Sequence, residues 1–312
     1  MAQHRIPATP DTVRWGTFSA DYPPVLTVQS GDTVTLECVS GAQDVLPPAS
    51  MGCTVPPALA AIHAANLARV GAHILTGPVA IAGAEPGDTL EVRIDAIELG
   101  ADWGFCGHRP LAGTLPEDFP HRFLSHIAVD RAAGTCRLPW GTELTLSPFF
   151  GVMGVAPPPA YGAISTKEPR EHGGNLDNKE IGAGSTLFLP VWVPGANFSA
   201  GDGHGVQGDG EVCITALETG LSGTFRLTVR KDMSVDFPFA ETATHLMSIG
   251  LDEDLDDAAK QAVREMVKHV CRRSNLSRNQ AYMLCSLIGD LRITQTVDGN
   301  KSVHMLPAKS YL

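Results

Sequence analysis

The sequence predicts a mainly β chain, a β-rich α+β class in which packed β-sheets carry a small helical element near the C-terminus. Three observations predict it. Up to about residue 250, apolar and polar residues alternate in short runs, the period of a half-buried strand. The 312 residues include 32 Gly and 23 Pro, enough turn-formers to separate many such strands. Helical periodicity with clear end signals is confined to the last quarter. No low-complexity linker interrupts the chain, so residues 1–312 read as a single unit without a sharp internal boundary. It is β-rich over 1–250, with a helical element and a hairpin over 251–312.

Taken in order, PPVLTVQSGDTVTLECVSG alternates around a Ser30-Gly31-Asp32 turn. Residues 79–84 continue the pattern. A Pro-Gly-Asp turn at 86–88 then enters an alternating strand over 89–97. PALAAIHAANLARV predicts a short helix between these segments. Residues 140–155 are apolar and strand-like, and STLFLPVWVPGANF predicts a buried strand pair. VCITALETG and GTFRLTVRKDM predict two strands joined by a Gly220-Leu221-Ser222-Gly223 turn. DEDLDDAAKQAVREMVKHVCRR places acids in its first turn and bases in its last, the sense that complements a helix dipole. Ser277-Arg278-Asn279-Gln280 is a capping-box sequence that opens a second helix through Leu287. LRITQTVDGNKSVHM then reads as a hairpin turning at Asp298-Gly299.

A formal net charge of −11 argues against a nucleic-acid partner, because the phosphate backbone is bound chiefly by Lys and Arg. Seven cysteines at 38, 53, 106, 136, 213, 271 and 285 include no Cys-x-x-Cys pair. A disulfide scaffold or structural zinc site is therefore not expected, and reduced thiols are the simpler reading. MAQHRIPATPDTVRW lacks an apolar signal core. No apolar run approaches the ~20 residues that span a bilayer. The expectation is a cytoplasmic protein without a membrane partner.

The chemistry concentrates in GDGHGVQGDGE, residues 201–211. Its Gly-x-Gly-x-x-Gly match does not read as a dinucleotide loop, because a strand-like segment follows it instead of a helix. An EF-hand fails on ligand chemistry and on Cys213 at the twelfth position. In an extended chain, positions two apart share a face. Asp202 and His204 then form one donor pair, suited to zinc and other divalent ions, and Asp209 and Glu211 share another face. A solvated Gly-Asp loop is the competing reading. Upstream, KEPREHGGNLDNKEIG brings His172, Asn175, Asp177 and Glu180 into an apolar region, where polar groups need partners. The two clusters could satisfy each other across a cleft.

HGGNLDNKEIGAGSTLFLPVWVPGANFSAGDGHGVQGDGEVCITALET, with FFGVMGVAP before it and ETATHLMSIG and AYMLCSLIGDLRITQTVDGNKSVHMLP after it, resembles the acetamidase/formamidase family. HILTGPVAIAGAEPGDTLEVRI resembles it too. The resemblance covers nearly the whole chain in order. It implies an acetamidase/formamidase-like fold, hydrolysis of a small amide to ammonia or an amine, and a homodimer or higher homo-oligomer. It also implies a divalent-metal site, with zinc the first expectation and calcium an alternative.

The family blocks fall on Asp177, Asp202, His204, Asp209 and Glu211. From these, Asp177, Asp202 and His204 are the expected metal ligands. Glu211 and Asp209 are the expected proton shuttles, and Asp44 is a further catalytic candidate. His73, His172 and Asn175 are the expected substrate-binding residues. ECVSGAQDVLPP and FCGHRPLAGTLPEDF depart from the family pattern, which predicts a reshaped substrate pocket. Two rival readings are a non-catalytic small-molecule or metal-binding protein and an amidase with a covalent nucleophile, for which Cys213 is best placed. No Gly-x-Ser-x-Gly elbow occurs.

Overall fold

The computed structural model describes residues 1–312. Eighteen strands join in one continuous hydrogen-bonded network, and a separate pair links Thr17–Phe18 to Ile164–Ser165. Three α-helices accompany them: α1 (Pro57–Ala64), α2 (Leu255–Arg273) and α3 (Arg278–Ile288). None is long and apolar enough to cross a membrane. The β-rich class, the short helix near residue 60 and the C-terminal helices followed by a hairpin all stand as the sequence predicts.

The strand Glu218–Arg230 organises the network. It runs antiparallel to Thr33–Cys38 and to the long strand Thr89–His108. The core below it holds 30 buried residues, among them Phe150, Phe198 and Phe225. The Phe150 and Phe198 rings each lie 5.4 Å from the Phe225 ring, tilted or edge-on. Burying each such side chain stabilises the fold by about 1.5–3 kcal/mol.

Helix α2 starts where Asp254 accepts hydrogen bonds from the backbone N–H groups of Asp256 and Asp257, a cap worth about 1 kcal/mol. Its buried residues Ala258, Ala262, Met266 and Val270 recur every fourth position and form a single stripe. That stripe packs on the strands Leu246–Asp252 and Lys301–Pro307. The approach is close enough that a Cβ on Gly250 would collide with the Ala258 carbonyl. Helix α3 opens with the expected Ser277–Gln280 capping box.

Two local expectations are corrected. Gly220-Leu221-Ser222-Gly223 is not a turn but the interior of the strand Glu218–Arg230. Its glycines answer to crowding: a Cβ on Gly223 would strike the Phe150 and Phe225 rings. Conversely, residues 211–217 do not extend as a strand. Glu211 and Ile214 take φ of 44° and 81° after Gly210 at 95°, left-handed conformations that end a strand.

GDGHG itself is no surface loop. Phe198–His204 is a fully buried strand, antiparallel to Phe149–Gly154 and to Ile74–Ile81. At its end, His204 registers with Glu218. A Cβ on Gly201 would meet the Ile74 carbonyl, and one on Gly203 the Thr219 carbonyl and Leu221. These glycines let neighbouring strands close over one face while Asp202 and His204 occupy the other.

Candidate active site

The site forms where three strands converge. Asp202 and His204 alternate on Phe198–His204, and Glu218 begins the adjoining strand. Asp177 follows the short strand Gly173–Asn175, Glu211 comes from the 211–217 loop, and Asp298 comes from the C-terminal hairpin turn. All six are buried. Three of the acids pay in backbone conformation for their positions: Asp177, Asp202 and Glu211 have φ of 44°, 57° and 44°. Non-glycine residues rarely adopt this region, and Asp tolerates it better than most.

His204 sits at the centre. Its Nε2 lies 3.1 Å from Asp202 Oδ2, 3.4 Å from Glu218 Oε1 and 3.8 Å from Asp177 Oδ1. Phe149 packs edge-on against the ring at 5.0 Å. On the other side, Nδ1 is 2.9 Å from Gln207 Oε1, while Gln207 Nε2 donates to the Asp177 carbonyl at 2.8 Å. Because the amide nitrogen is engaged there, the oxygen faces the imidazole, and Nδ1 carries the proton. Nε2 then aims at three carboxylates, an arrangement that needs a cation between the groups, either a second proton or a metal ion.

The strand Phe149–Gly154 closes the floor. Phe149 and Gly151 face the site, and Phe150 faces the core. A Cβ on Gly151 would stand 2.5 Å from both Asp177 Oδ1 and Asp202 Oδ2 and 2.8 Å from His204 Cε1. No side chain fits beneath the cluster.

The electrostatics follow from crowding acids away from water. Burial, then the neighbouring Glu211 and Asp298 charges, pushes the Asp177 carboxyl well above its usual range. Burial and Asp298 do the same to Glu211. Burial raises Glu218, with Asp202 adding to the effect. Asp298 is pushed up to about 6, again chiefly by burial. Burial also opposes ionisation of Asp202, but the His73 and His204 charges and hydrogen bonds to its oxygens outweigh it and hold this carboxyl below its usual range. For His204, burial disfavours the charge, yet the Glu218 and Asp202 carboxylates overcome it and raise the imidazole well above its ordinary value.

The donor set fits a divalent ion. Asp177, His204 and Glu211 form one group of potential ligands, and Asp202, His204 and Glu218 form a second. Asp177 Oδ1, Glu211 Oε2 and Asp298 Oδ2 are buried without a hydrogen-bond partner. Unpaired buried oxygens of this kind are costly unless a cation satisfies them.

The cluster opens into a cavity of about 540 Å³ lined by His73, Ile74, Phe105, Asp202, Glu218 and Asp298, among others. His73 Nε2 stands 3.9 Å from Asp202 Oδ2, and its Nδ1 is 2.9 Å from the Thr166 hydroxyl. Both departing loops reach this cavity: Gly41, Ala42, Asp44 and Val45 from one, and Gly107, His108 and Arg109 from the other.

The structure thus brings Asp177, Asp202, His204, Glu211 and His73 together. Asp44 is at the cavity rim, exposed and 2.8 Å from Arg122. Asp209 lies apart, its carboxylate 3.1 Å from Lys179 Nζ. The left-handed turn at Gly210 and Glu211 separates the two acids that an extended chain would have kept on one face. His172 and Asn175 are buried away from the cavity. The His172 ring packs edge-on against Phe18 at 4.9 Å, and Asn175 registers with Val152 inside the sheet. Glu218 and Asp298 were missed. Glu218 is hidden in a segment whose alternation reads as an ordinary strand, and Asp-Gly at 298–299 is fully explained as a turn. Cys213 has only Cys106 and Thr215 as side-chain hydrogen-bond partners, and no imidazole or carboxylate is hydrogen-bonded to it.

The fold and the buried acid–imidazole cluster define a β-rich protein with a candidate metal centre at the base of a cavity. The model of the Acetamidase/Formamidase family matches residues 5–161 and 158–311, and the chain belongs to that family. It is 27% identical over 245 residues to the formamidase of Methylophilus methylotrophus, a match that covers 62% of this chain and 58% of that protein. It is 29% identical over 207 residues to the acetamidase of Mycolicibacterium smegmatis, covering 47% of this chain and 51% of the relative. The chain therefore spans little more than half the length of these two relatives. The crystal structure of an acetamidase from Bacillus halodurans superposes with a TM-score of 0.84 at 32% identity and covers 98% of each chain.

Proposed function

We propose that this protein is a metal-dependent hydrolase that cleaves the C–N bond of small linear or cyclic amides and releases ammonia or an amine. The observation that carries the reading is the position of His204 Nε2, within 3.8 Å of carboxylate oxygens of Asp202, Glu218 and Asp177, while Nδ1 faces Gln207 Oε1 on the other side. Membership of the acetamidase/formamidase family supports it.

Asp202, His204 and Glu218, with Asp177, would hold a divalent ion. Bound there, the ion supplies Lewis acidity that activates water at neutral pH. The rest falls to the chain. Gln207 fixes the tautomer and plane of His204. The Ala216 N–H donates to Glu218 Oε1 at 3.1 Å and restrains that carboxylate. Glu211 keeps one oxygen free of hydrogen bonds and is the proton carrier, taking a proton from water and delivering it to the leaving nitrogen. His73, on the cavity wall beside Asp202, contacts the amide.

The cavity is roomier than formamide or acetamide requires, and apolar Phe105, Phe123 and Ile214 line it. Substituted or cyclic amides are the better match. The homo-oligomer implied by the family likeness is checked by sedimentation.

The deciding experiment combines elemental analysis of purified protein with an ammonia-release screen over formamide, acetamide and substituted and cyclic amides. Bound divalent metal with turnover of at least one amide supports the reading. Metal without turnover of any member indicates a binding protein. Full turnover by thoroughly chelated protein rules out the metal-dependent route.

A further inference from the structure

Of the seven cysteines, only Cys106 and Cys213 hydrogen-bond to each other, with their sulfurs 3.7 Å apart. Both are partly exposed, whereas Cys38, Cys136 and Cys285 are buried. Cys106 lies on the long strand Thr89–His108, and Cys213 on the loop between Glu211 and Glu218. The two segments already hold each other in place. Thr215 Oγ1 accepts from the Gly107 N–H at 2.9 Å and donates to the Gly107 carbonyl at 3.0 Å. Gly107, Ile214 and Thr215 line the cavity, so small solutes reach the vicinity of both sulfurs.

We infer that Cys106 and Cys213 form a redox modification site, a dithiol that hydrogen peroxide converts to an intrachain disulfide. The sulfurs need approach by less than 2 Å to reach the S–S distance of about 2.0 Å, a range that side-chain rotation and a small loop shift supply. In the first step peroxide oxidises one thiol to a sulfenic acid and one water leaves. In the second, the other sulfur attacks the sulfenic sulfur, the S–S bond forms, the S–O bond breaks and a second water leaves. Two thiols are oxidised and one peroxide is reduced. Dithiothreitol reverses the reaction by exchange. The bond ties the segment between Glu211 and Glu218 covalently to the long strand and closes a long loop in the unfolded chain, so the oxidised protein is the more stable form. The inference stands whether or not the protein cleaves amides.

The experiment treats the full chain with a small excess of hydrogen peroxide. The expected result is a mass loss of two hydrogens, two fewer titratable thiols and a Cys106–Cys213 cross-linked peptide. The thermal midpoint should rise by at least about 3 °C, and dithiothreitol should reverse every change. Cys106→Ser and Cys213→Ser should each abolish the cross-link and the rise, while Cys53→Ser should keep both. If one serine variant fails to fold, the other carries the test. Sulfinic acid at a single cysteine, a disulfide between chains, or a lower thermal midpoint in the cross-linked protein would overturn the proposal.

Discussion

Gln207 Oε1 lies 2.9 Å from His204 Nδ1, and the same amide donates to the Asp177 carbonyl. One side chain thereby orients the central imidazole and pins the turn that presents Asp177. Gln207→Leu keeps the volume and removes both bonds. Divalent-metal affinity should fall by about 10–100-fold, the usual cost of losing such an outer partner. Metal titration of the variant, with circular dichroism to confirm the fold, checks this. Unchanged affinity would mean that Gln207 does not set the imidazole.

His204→Ala and Glu211→Gln should fail in different ways. The first removes a ligand, so metal content and activity should fall together. The second preserves shape but cannot accept a proton, so kcat should drop by about 10²–10⁴ while most of the metal stays. Bound metal, thermal melting and kcat on both variants separate the roles. Near-normal kcat in Glu211→Gln would remove Glu211 from proton transfer.

Gly151→Ala tests the floor of the site. The added methyl must displace two carboxylate oxygens and the imidazole edge, whereas Phe150 and the core beneath are untouched. Metal content should fall at least about tenfold with secondary structure retained. A fully loaded, active Gly151→Ala variant would show that the cluster tolerates a wider spacing.

Asp177→Asn exposes the cost of the crowded acids. Burial and its acidic neighbours disfavour the charged carboxylate, and Asn accepts the left-handed φ that this position requires. The metal-free variant should melt a few degrees above metal-free wild type and gain less from added metal, the trade of stability for function common at active sites. Differential scanning calorimetry with and without chelator reads it. A lower melting point for the metal-free variant would contradict the repulsion argument.

His172 predicts an acid limb in stability. Burial, with a smaller contribution from Arg170, lowers its pKa to about 3, against about 6.5 in the unfolded chain. The unfolded state therefore binds the extra proton first. Stability from the neutral ring is complete above pH 6.5 and declines as pH falls from there toward 3. The buried His269 and His304 act in the same sense. His172→Leu should flatten the slope between pH 6.5 and 4 without lowering the melting point at pH 8, because neither ring nitrogen has a partner to lose. An unaltered slope would show that His172 titrates freely.

The β-rich class, the short helix near residue 60, the C-terminal helix pair and its hairpin were legible because each rests on local signals: alternation, caps and turn dipeptides. The Asp202–His204 pair was legible for the same reason, as strand alternation alone puts both side chains on one face. The exchange of roles at 211–223 was not. Which Gly-rich segment bends and which runs straight depends on what packs against it, and Phe150 and Phe225 fill the space beside Gly223. Glu218 and Asp298 escaped because their place in the cluster depends on strand register and on a hairpin tip reaching across the molecule. Asp209 looked equivalent to Glu211 until the backbone turned between them.

The pairing of Glu218–Arg230 with Thr33–Cys38 joins residues far apart in the chain; the Thr35–Thr224 hydroxyl contact spans 189 positions. Contacts between such distant partners form slowly, because the intervening chain must be closed before they stabilise anything. The buried acid–imidazole cluster inherits that timing. Its Asp298 lies well downstream of the Asp202–His204 strand, so the six groups cannot assemble until that later segment has been made. A nascent or partly unfolded chain thus presents scattered carboxylates, and the proposed cation site comes into being only with the closed sheet.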